Sequence, residues 1–320
     1  MAVAFIFPGQ GSQHIGMGKG LADTFASARA VFADVDEALG QKLSLLMWQG
    51  PESELTLTEN AQPALMAVSM AVVRVLANDH GVTLPAFAKF VAGHSLGEYS
   101  ALAAAGSFTL ADAARLLKIR GRAMQQATPV GTGAMAALLG LDAVTASEIA
   151  AEAAQGEVCE AANDNADGQV VVSGHRAAVE RAVDIAKSRG AKRAVLLPVS
   201  APFHCALMEP AARVMGEALA SVKITAPAVP LIANVTAKPI TEPREILARL
   251  VEQVTGMVRW RESVAFMVKQ GVETLCEVGA GKVLTGLARR NAPDAKAIAI
   301  GTPEEISKAL DAIKGEAHVV

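Results

Sequence analysis

Apolar and polar residues change rhythm several times along these 320 residues, and each change marks an element. Val3 to Phe7 is a short unbroken apolar run, the pattern of a strand buried on both faces. Pro8-Gly9-Gln10-Gly11-Ser12-Gln13 is the loop that leaves it. Helical spacing follows around 21–39 and 62–79. Phe87, Phe90, Val91 and Ala92 predict a second buried strand, which stops at Gly93-His94-Ser95-Leu96-Gly97. Tyr99 to Ala105 is then an alanine-rich helix closed by Gly106. A longer helix begins near Thr109, with Asp112 placed for a near capping box, and runs to Gln126.

That last helix carries an anomaly. Leu110, Ala113, Leu117 and Met124 form its apolar stripe, and Arg120 falls on the same stripe. Arg115, Lys118 and Arg122 fall on the other face, where solvated charges belong. An unpaired buried charge is strongly unfavourable, so Arg120 needs an anionic partner. Two partners suit it: a structural Asp or Glu, or the carboxylate or phosphate of a ligand held bidentately.

Between Pro129 and Pro198 the pattern reads strand 134–139, helix 142–154, strand 158–162, strand 169–173, helix 175–189 and strand 193–197. This β-α-β-β-α-β order predicts a ferredoxin-like unit. Pro129, Gly131, Gly133 and Pro198 mark its hinges, and Asn163, Asn165, Gly168 and Gln169 lie at its central hairpin. The division expected is therefore a large α/β domain from 1–128 and 199–320 with a small subdomain, 129–198, inserted into it. After 198 come a loop through Pro202-Phe203-His204, a helix from about 206 to 220, a helix closing at Leu250-Val251-Glu252-Gln253, a buried strand 273–278, and a last helix opened by Gly279-Ala280-Gly281-Lys282.

Composition narrows the classes. With 52% hydrophobic but only 4% aromatic residues, the core has to be aliphatic and rich in alanine. A net charge of −3 argues against nucleic acid as a general partner. Cys159, Cys205 and Cys276 are odd in number and too widely spaced for a metal knuckle, which fits a reducing compartment. Met1 to Phe7 lacks the basic flank and length of a signal peptide. Ala61 to Ala77 is the most membrane-like stretch, but Gln62, Pro63, Ser69 and Arg74 interrupt it, so it reads as a core helix. A cytoplasmic protein without membrane attachment is expected.

Gly-x-Ser-x-Gly between a strand and a helix is the pattern of a nucleophile elbow. It lifts the Ser95 hydroxyl out of the sheet and aims the first helical N–H groups at the carbonyl under attack. A plain strand–turn–helix corner is the competing reading. Both glycine loops fail the dinucleotide pattern, because His14 and Leu21 stand where the third glycine belongs. The phosphate-loop pattern fails at Gly281-Lys282, where Cys276 and Val283 occupy required positions. No His-Glu-x-x-His occurs, so no metal site is expected. His14, His80 and His175 look exposed, His318 lies in the tail, and His94 should point away from the serine. His204 is left as the best general base, titrating near the ordinary histidine value of about 6.5.

Phe7-Pro8-Gly9-Gln10-Gly11-Ser12-Gln13, Gly93 to Ser100, Arg120-Gly121, Pro202-Phe203-His204 and Glu277-Val278-Gly279 occur in one order and spacing. Over nearly its whole length the chain resembles the malonyl-CoA:acyl carrier protein transacylases of dissociated (type II) fatty acid synthesis. Ala280 departs from that family, where proline is usual, and Phe203 occupies a position that varies. The resemblance implies an α/β-hydrolase-like core with a parallel sheet plus an inserted ferredoxin-like α+β subdomain. It also implies a ping-pong reaction in which Ser95 takes the malonyl group from malonyl-CoA. His204 is then the base, oriented by the backbone carbonyl of Gln253, and the N–H groups of Gln10 and Leu96 form the oxyanion hole. Arg120 pairs with the malonyl carboxylate, and Met124, Asn165 and Phe203 complete the substrate wall. No cofactor is implied beyond the phosphopantetheine carried by the acceptor, an acyl carrier protein. Lys187, Arg189, Lys192, Lys282 and Arg290 are candidates for docking that acidic partner. Two other functions share parts of this pattern: a serine hydrolase such as a thioesterase, and a non-catalytic carrier-protein docking module.

Overall fold

Ala2–Phe7 (β1) lies in the middle of a six-stranded sheet because every side chain from Val3 to Phe7 is buried, as the unbroken apolar run requires. The structure, a computed structural model, describes residues 2–315; His318 lies outside them. The remaining strands are Ala88–Gly93 (β2), Gly133–Leu139 (β3), Cys159–Ala166 (β4), Gln169–His175 (β5), Arg193–Leu196 (β6), Leu231–Ile232 (β7), Pro239–Ile240 (β8), Val272–Val278 (β9) and Lys296–Ile300 (β10). The large sheet has the order β10-β9-β1-β2-β7-β8, and all its pairs are parallel except β7 with β8. The small sheet is fully antiparallel with the order β4-β5-β3-β6, which is the ferredoxin-like strand order.

Helices cover both faces of the large sheet, and separate apolar clusters fill the two layers. One layer is built on Thr58–His80, buried along most of its length. This helix is long and apolar enough to cross a membrane, but 89% of its most apolar stretch is buried inside the molecule. It packs against Leu110–Gln126 at close range. A Cβ on Gly121 would sit 2.5 Å from the Thr58 carbonyl oxygen, so only glycine permits that approach. Thr109 caps Leu110–Gln126 as the sequence predicts, its hydroxyl oxygen accepting from the Asp112 N–H at 3.0 Å.

Several boundaries differ from the pattern reading. Pro63 does not begin its helix; it sits in the second turn. Helix 21–39 is two helices, Lys19–Thr24 and Ala26–Leu39, broken at the extended Phe25. Phe87 ends a one-turn helix and is not part of β2. Residues 206–220 divide into a 3₁₀ turn, Ala206–Met208, and the helix Glu209–Ala220. The helix Val283–Asn291 is not the last element, since β10 and Pro303–Gly315 follow it.

Main-chain hydrogen bonds tie the small sheet to the connection between the helices Pro243–Thr255 and Trp260–Lys269. Asp164 N–H donates to Val258 O and Val258 N–H donates to Ala162 O, so residue 258 extends the outer edge of β4. Buried Asp164 reinforces the seam with a two-point ion pair to Arg261.

Candidate active site

The loops that leave β1 and β2 at their C-terminal ends, and the first turns of the helix Val283–Asn291 that follows β9, meet at one cavity of about 550 Å³, where ligands enter open α/β sheets. Ser95 stands at the turn after β2 with φ 53°, the left-handed conformation of a strained elbow. Its flanking glycines are required by contact. A Cβ on Gly93 would lie 1.9 Å from Gly97 O, and one on Gly97 would lie 2.2 Å from Phe7 O.

Ser95 Oγ is 2.8 Å from His204 Nε2. The other ring nitrogen, Nδ1, is 2.8 Å from the Gln253 backbone oxygen. A carbonyl can only accept, so Nδ1 carries the proton and Nε2 presents a lone pair to the hydroxyl. That is the tautomer of a general base. His204 is buried and, like Ser95, has a positive φ, 58°. Burial, helped by the nearby Arg120 charge, holds its imidazole down at about 3. The ordinary value expected from sequence therefore does not hold at this position.

Arg120 is 1% exposed and reaches the same hydroxyl, with Nη2 3.2 Å from Ser95 Oγ. Nη1 donates to Gln62 Oε1 at 2.9 Å and Nη2 to Gln253 Oε1 at 2.8 Å, while Nε has no partner among the described residues. No carboxylate among the described residues touches the guanidinium, so the charge is held by amides and stands open to an anion. The Tyr99 ring lies beneath it, 5.7 Å from centroid to guanidinium carbon.

The other residues singled out in the sequence line the same cavity. Gln10 and Leu96 flank Ser95 there, and neither backbone N–H donates to another group among the described residues. Met124, Asn165 and Phe203 form part of the wall. His94 also lines the cavity, and its Nε2 meets Asn165 Oδ1 at 2.8 Å. Of the candidate docking cations, Lys187 and Arg189 pair with the acids Asp184 and Glu152. Lys282 pairs with Glu305 at 2.7 Å, and Arg290 binds Gln169, a wall residue.

Three residues escaped the sequence reading. Asn234, after β7, accepts the Ser95 N–H at 2.8 Å and donates to Gly93 O at 2.7 Å, pinning the elbow from both sides. Gln62 holds Arg120. Glu98, 1% exposed, accepts from the Gln253 side-chain amide and from the Asn234 backbone N–H. A signal for Glu98 was available: it is a charge within an apolar helix, the same anomaly that marks Arg120. Asn234 is a polar residue two positions after a buried strand at the edge where sites form.

Comparison with known proteins agrees with this geometry. The acyl transferase domain family matches residues 4–301. The malonyl CoA-acyl carrier protein transacylase of Escherichia coli O157:H7 is 48% identical over 96% of this chain and 98% of its own. The crystal structure of an acyl-carrier-protein S-malonyltransferase from Bartonella henselae superposes with a TM-score of 0.96 at 59% identity, covering 98% of this chain and 100% of that one. A malonyl-transacylase solved in complex with a type II polyketide acyl-carrier protein has a TM-score of 0.94 at 43% identity, over 98% and 100% of the two chains. The chain belongs to the acyl transferase family, among the malonyl-CoA:acyl carrier protein transacylases.

Proposed function

We propose that this chain transfers the malonyl group of malonyl-CoA to the phosphopantetheine thiol of an acyl carrier protein through a malonyl-Ser95 ester, supplying fatty acid synthesis. The observation that supports this most is one hydroxyl shared by a base and a cation: Ser95 Oγ lies 2.8 Å from His204 Nε2 and 3.2 Å from Arg120 Nη2. The base makes the hydroxyl a nucleophile, and the cation selects an acyl group that carries its own carboxylate.

In the first half-reaction His204 takes the Ser95 proton as Oγ adds to the thioester carbonyl. The oxyanion is received by the N–H groups of Gln10 and Leu96. Collapse expels the coenzyme A thiolate, which takes the proton back from His204. In the second half-reaction His204 deprotonates the carrier thiol, which attacks the malonyl ester and regenerates Ser95. The Gln253 carbonyl fixes the ring tautomer throughout, although it stabilises the imidazolium less than a carboxylate would. Met124, Asn165 and Phe203 bound the acyl chamber. Residues 129–198 act as a subdomain that supplies one wall. Every group in this cycle comes from the chain, so no cofactor is invoked, and the cytoplasm is its compartment.

A thioesterase would share the elbow but has no use for a buried cation beside the nucleophile. The two readings separate when malonyl-CoA is supplied with and without holo acyl carrier protein. Transfer to the carrier, with little free malonate in its absence, supports the transferase; rapid malonate release without acceptor contradicts it.

A further inference from the structure

Glu98 is the buried carboxyl in this site for which the cycle above has no use. It lies in the first turn of Gly97–Ala104, and one amide separates it from Arg120. Gln253 Oε1 accepts from Arg120 Nη2 at 2.8 Å, while Gln253 Nε2 donates to Glu98 Oε2. Asn234 N–H donates to the second carboxyl oxygen at 3.4 Å. The carboxyl and the guanidinium therefore face each other across a single polarised side chain. A substrate carboxylate arriving at Arg120 brings a second negative charge to that one cation. Two carboxylates sharing a site cannot both ionise freely.

We propose that Glu98 is a specificity-determining group whose carboxyl ionises against Arg120 in the empty site and holds its proton more tightly once a substrate carboxylate binds there, so that binding draws proton from solvent. The proposal rests on the malonyl-transfer reading and extends it. The charges around Glu98 are few. Leu110–Gln126 contributes Arg120, and Pro243–Thr255 contributes neutral Gln253, its acids Glu245 and Glu252 being paired outward with Arg249. Thr58–His80 presents neutral Gln62, with Glu59 paired to Lys118 and Arg122. Tyr99 on the same helix stays protonated, since burial pushes its phenol above the ordinary range. His94 and His204 are held neutral by burial. Burial likewise pushes the Glu98 carboxyl up to about 8, against the pull of its N–H donors and Arg120, so the exchange falls in an accessible pH range.

Suppose substrate binding raises the proton affinity of Glu98 tenfold, a shift of one pKa unit. Affinity for malonyl-CoA then falls about tenfold as pH rises from about 7 to 10, and near pH 8.5 binding takes up about half a proton. The test is calorimetric titration of Ser95→Ala with malonyl-CoA in buffers of different ionisation enthalpy, with acetyl-CoA as the control for the coenzyme. Proton uptake specific to malonyl-CoA, and lost in Ser95→Ala/Glu98→Gln, is the expected result. Uptake that is absent, or that persists without the Glu98 carboxyl, overturns the proposal. A failure of malonyl-CoA to bind at all would instead overturn the transfer reading. Should the double variant not fold, the unmutated enzyme decides. Its KM for malonyl-CoA should rise about tenfold over that range while the Ki of acetyl-CoA stays level; parallel profiles contradict the proposal.

Discussion

Arg120→Met removes the cation, which lies over the Tyr99 ring, while keeping most of the aliphatic stem. In the intact site the guanidinium is fully desolvated, and amides and the Ser95 hydroxyl hold it. A malonyl carboxylate arriving there forms a charge pair screened from water. Losing one partner of such a pair costs about 2–5 kcal/mol, so malonyl-CoA acylation should fall by roughly 30- to 4,000-fold. Acetyl-CoA brings no charge and leaves the arginine unpaired in the wild-type complex, a penalty that the methionine variant does not carry. The assay is the rate of covalent acylation by malonyl-CoA and by acetyl-CoA, wild type against variant, with thermal unfolding to check the fold. The malonyl-to-acetyl ratio should collapse by at least the lower of those factors. A ratio that does not move, in a folded variant, would make Arg120 a structural residue and leave malonyl selection without a cation.

Three further expectations concern other parts of the site. The folded His204 ring binds a proton less readily than the unfolded chain does near 6.5. Its contribution to stability is therefore complete above that pH and is lost as pH falls toward about 3, and acylation at saturating malonyl-CoA should stay level from about pH 8 down to about 5; a rate profile with its midpoint at 6.5 would contradict the burial argument. Gly97→Ala drives a Cβ to 2.2 Å from Phe7 O, so it should cost about 3 kcal/mol and most of the activity, and an unchanged melting temperature would refute the elbow contact. Replacing Lys282, which precedes the helix Val283–Asn291, and Arg290, in its last turn, with glutamine should raise the KM for acyl carrier protein, most at low salt, and spare acylation by malonyl-CoA; equal damage to both half-reactions would rule out docking there.

What could be read from the sequence was whatever has a local cause. β1 is an unbroken apolar run and β2 ends on Phe90-Val91-Ala92, the elbow is five consecutive residues, and Arg120 betrays itself by lying on an apolar stripe. The small sheet was legible because its alternation and hairpin are both short-range. What stayed hidden depends on partners remote in sequence. β7 is two residues long, too short for any periodicity, and so Asn234 just beyond it went unnoticed although it fixes both sides of the elbow. The strain at His204 arises from the need to reach Ser95 and the Gln253 carbonyl at once, 109 and 49 residues away. Its lowered proton affinity follows from burial beside Arg120, which spacing along the chain cannot reveal.

The central claim is that Ser95 carries the malonyl group between donor and acceptor. Intact-mass measurement of the purified protein after mixing with malonyl-CoA tests it most directly. One malonyl adduct per chain should form, discharge on addition of holo acyl carrier protein, and be absent from Ser95→Ala. An adduct on Ser95→Ala, or a wild-type adduct that the carrier cannot remove, would contradict the account.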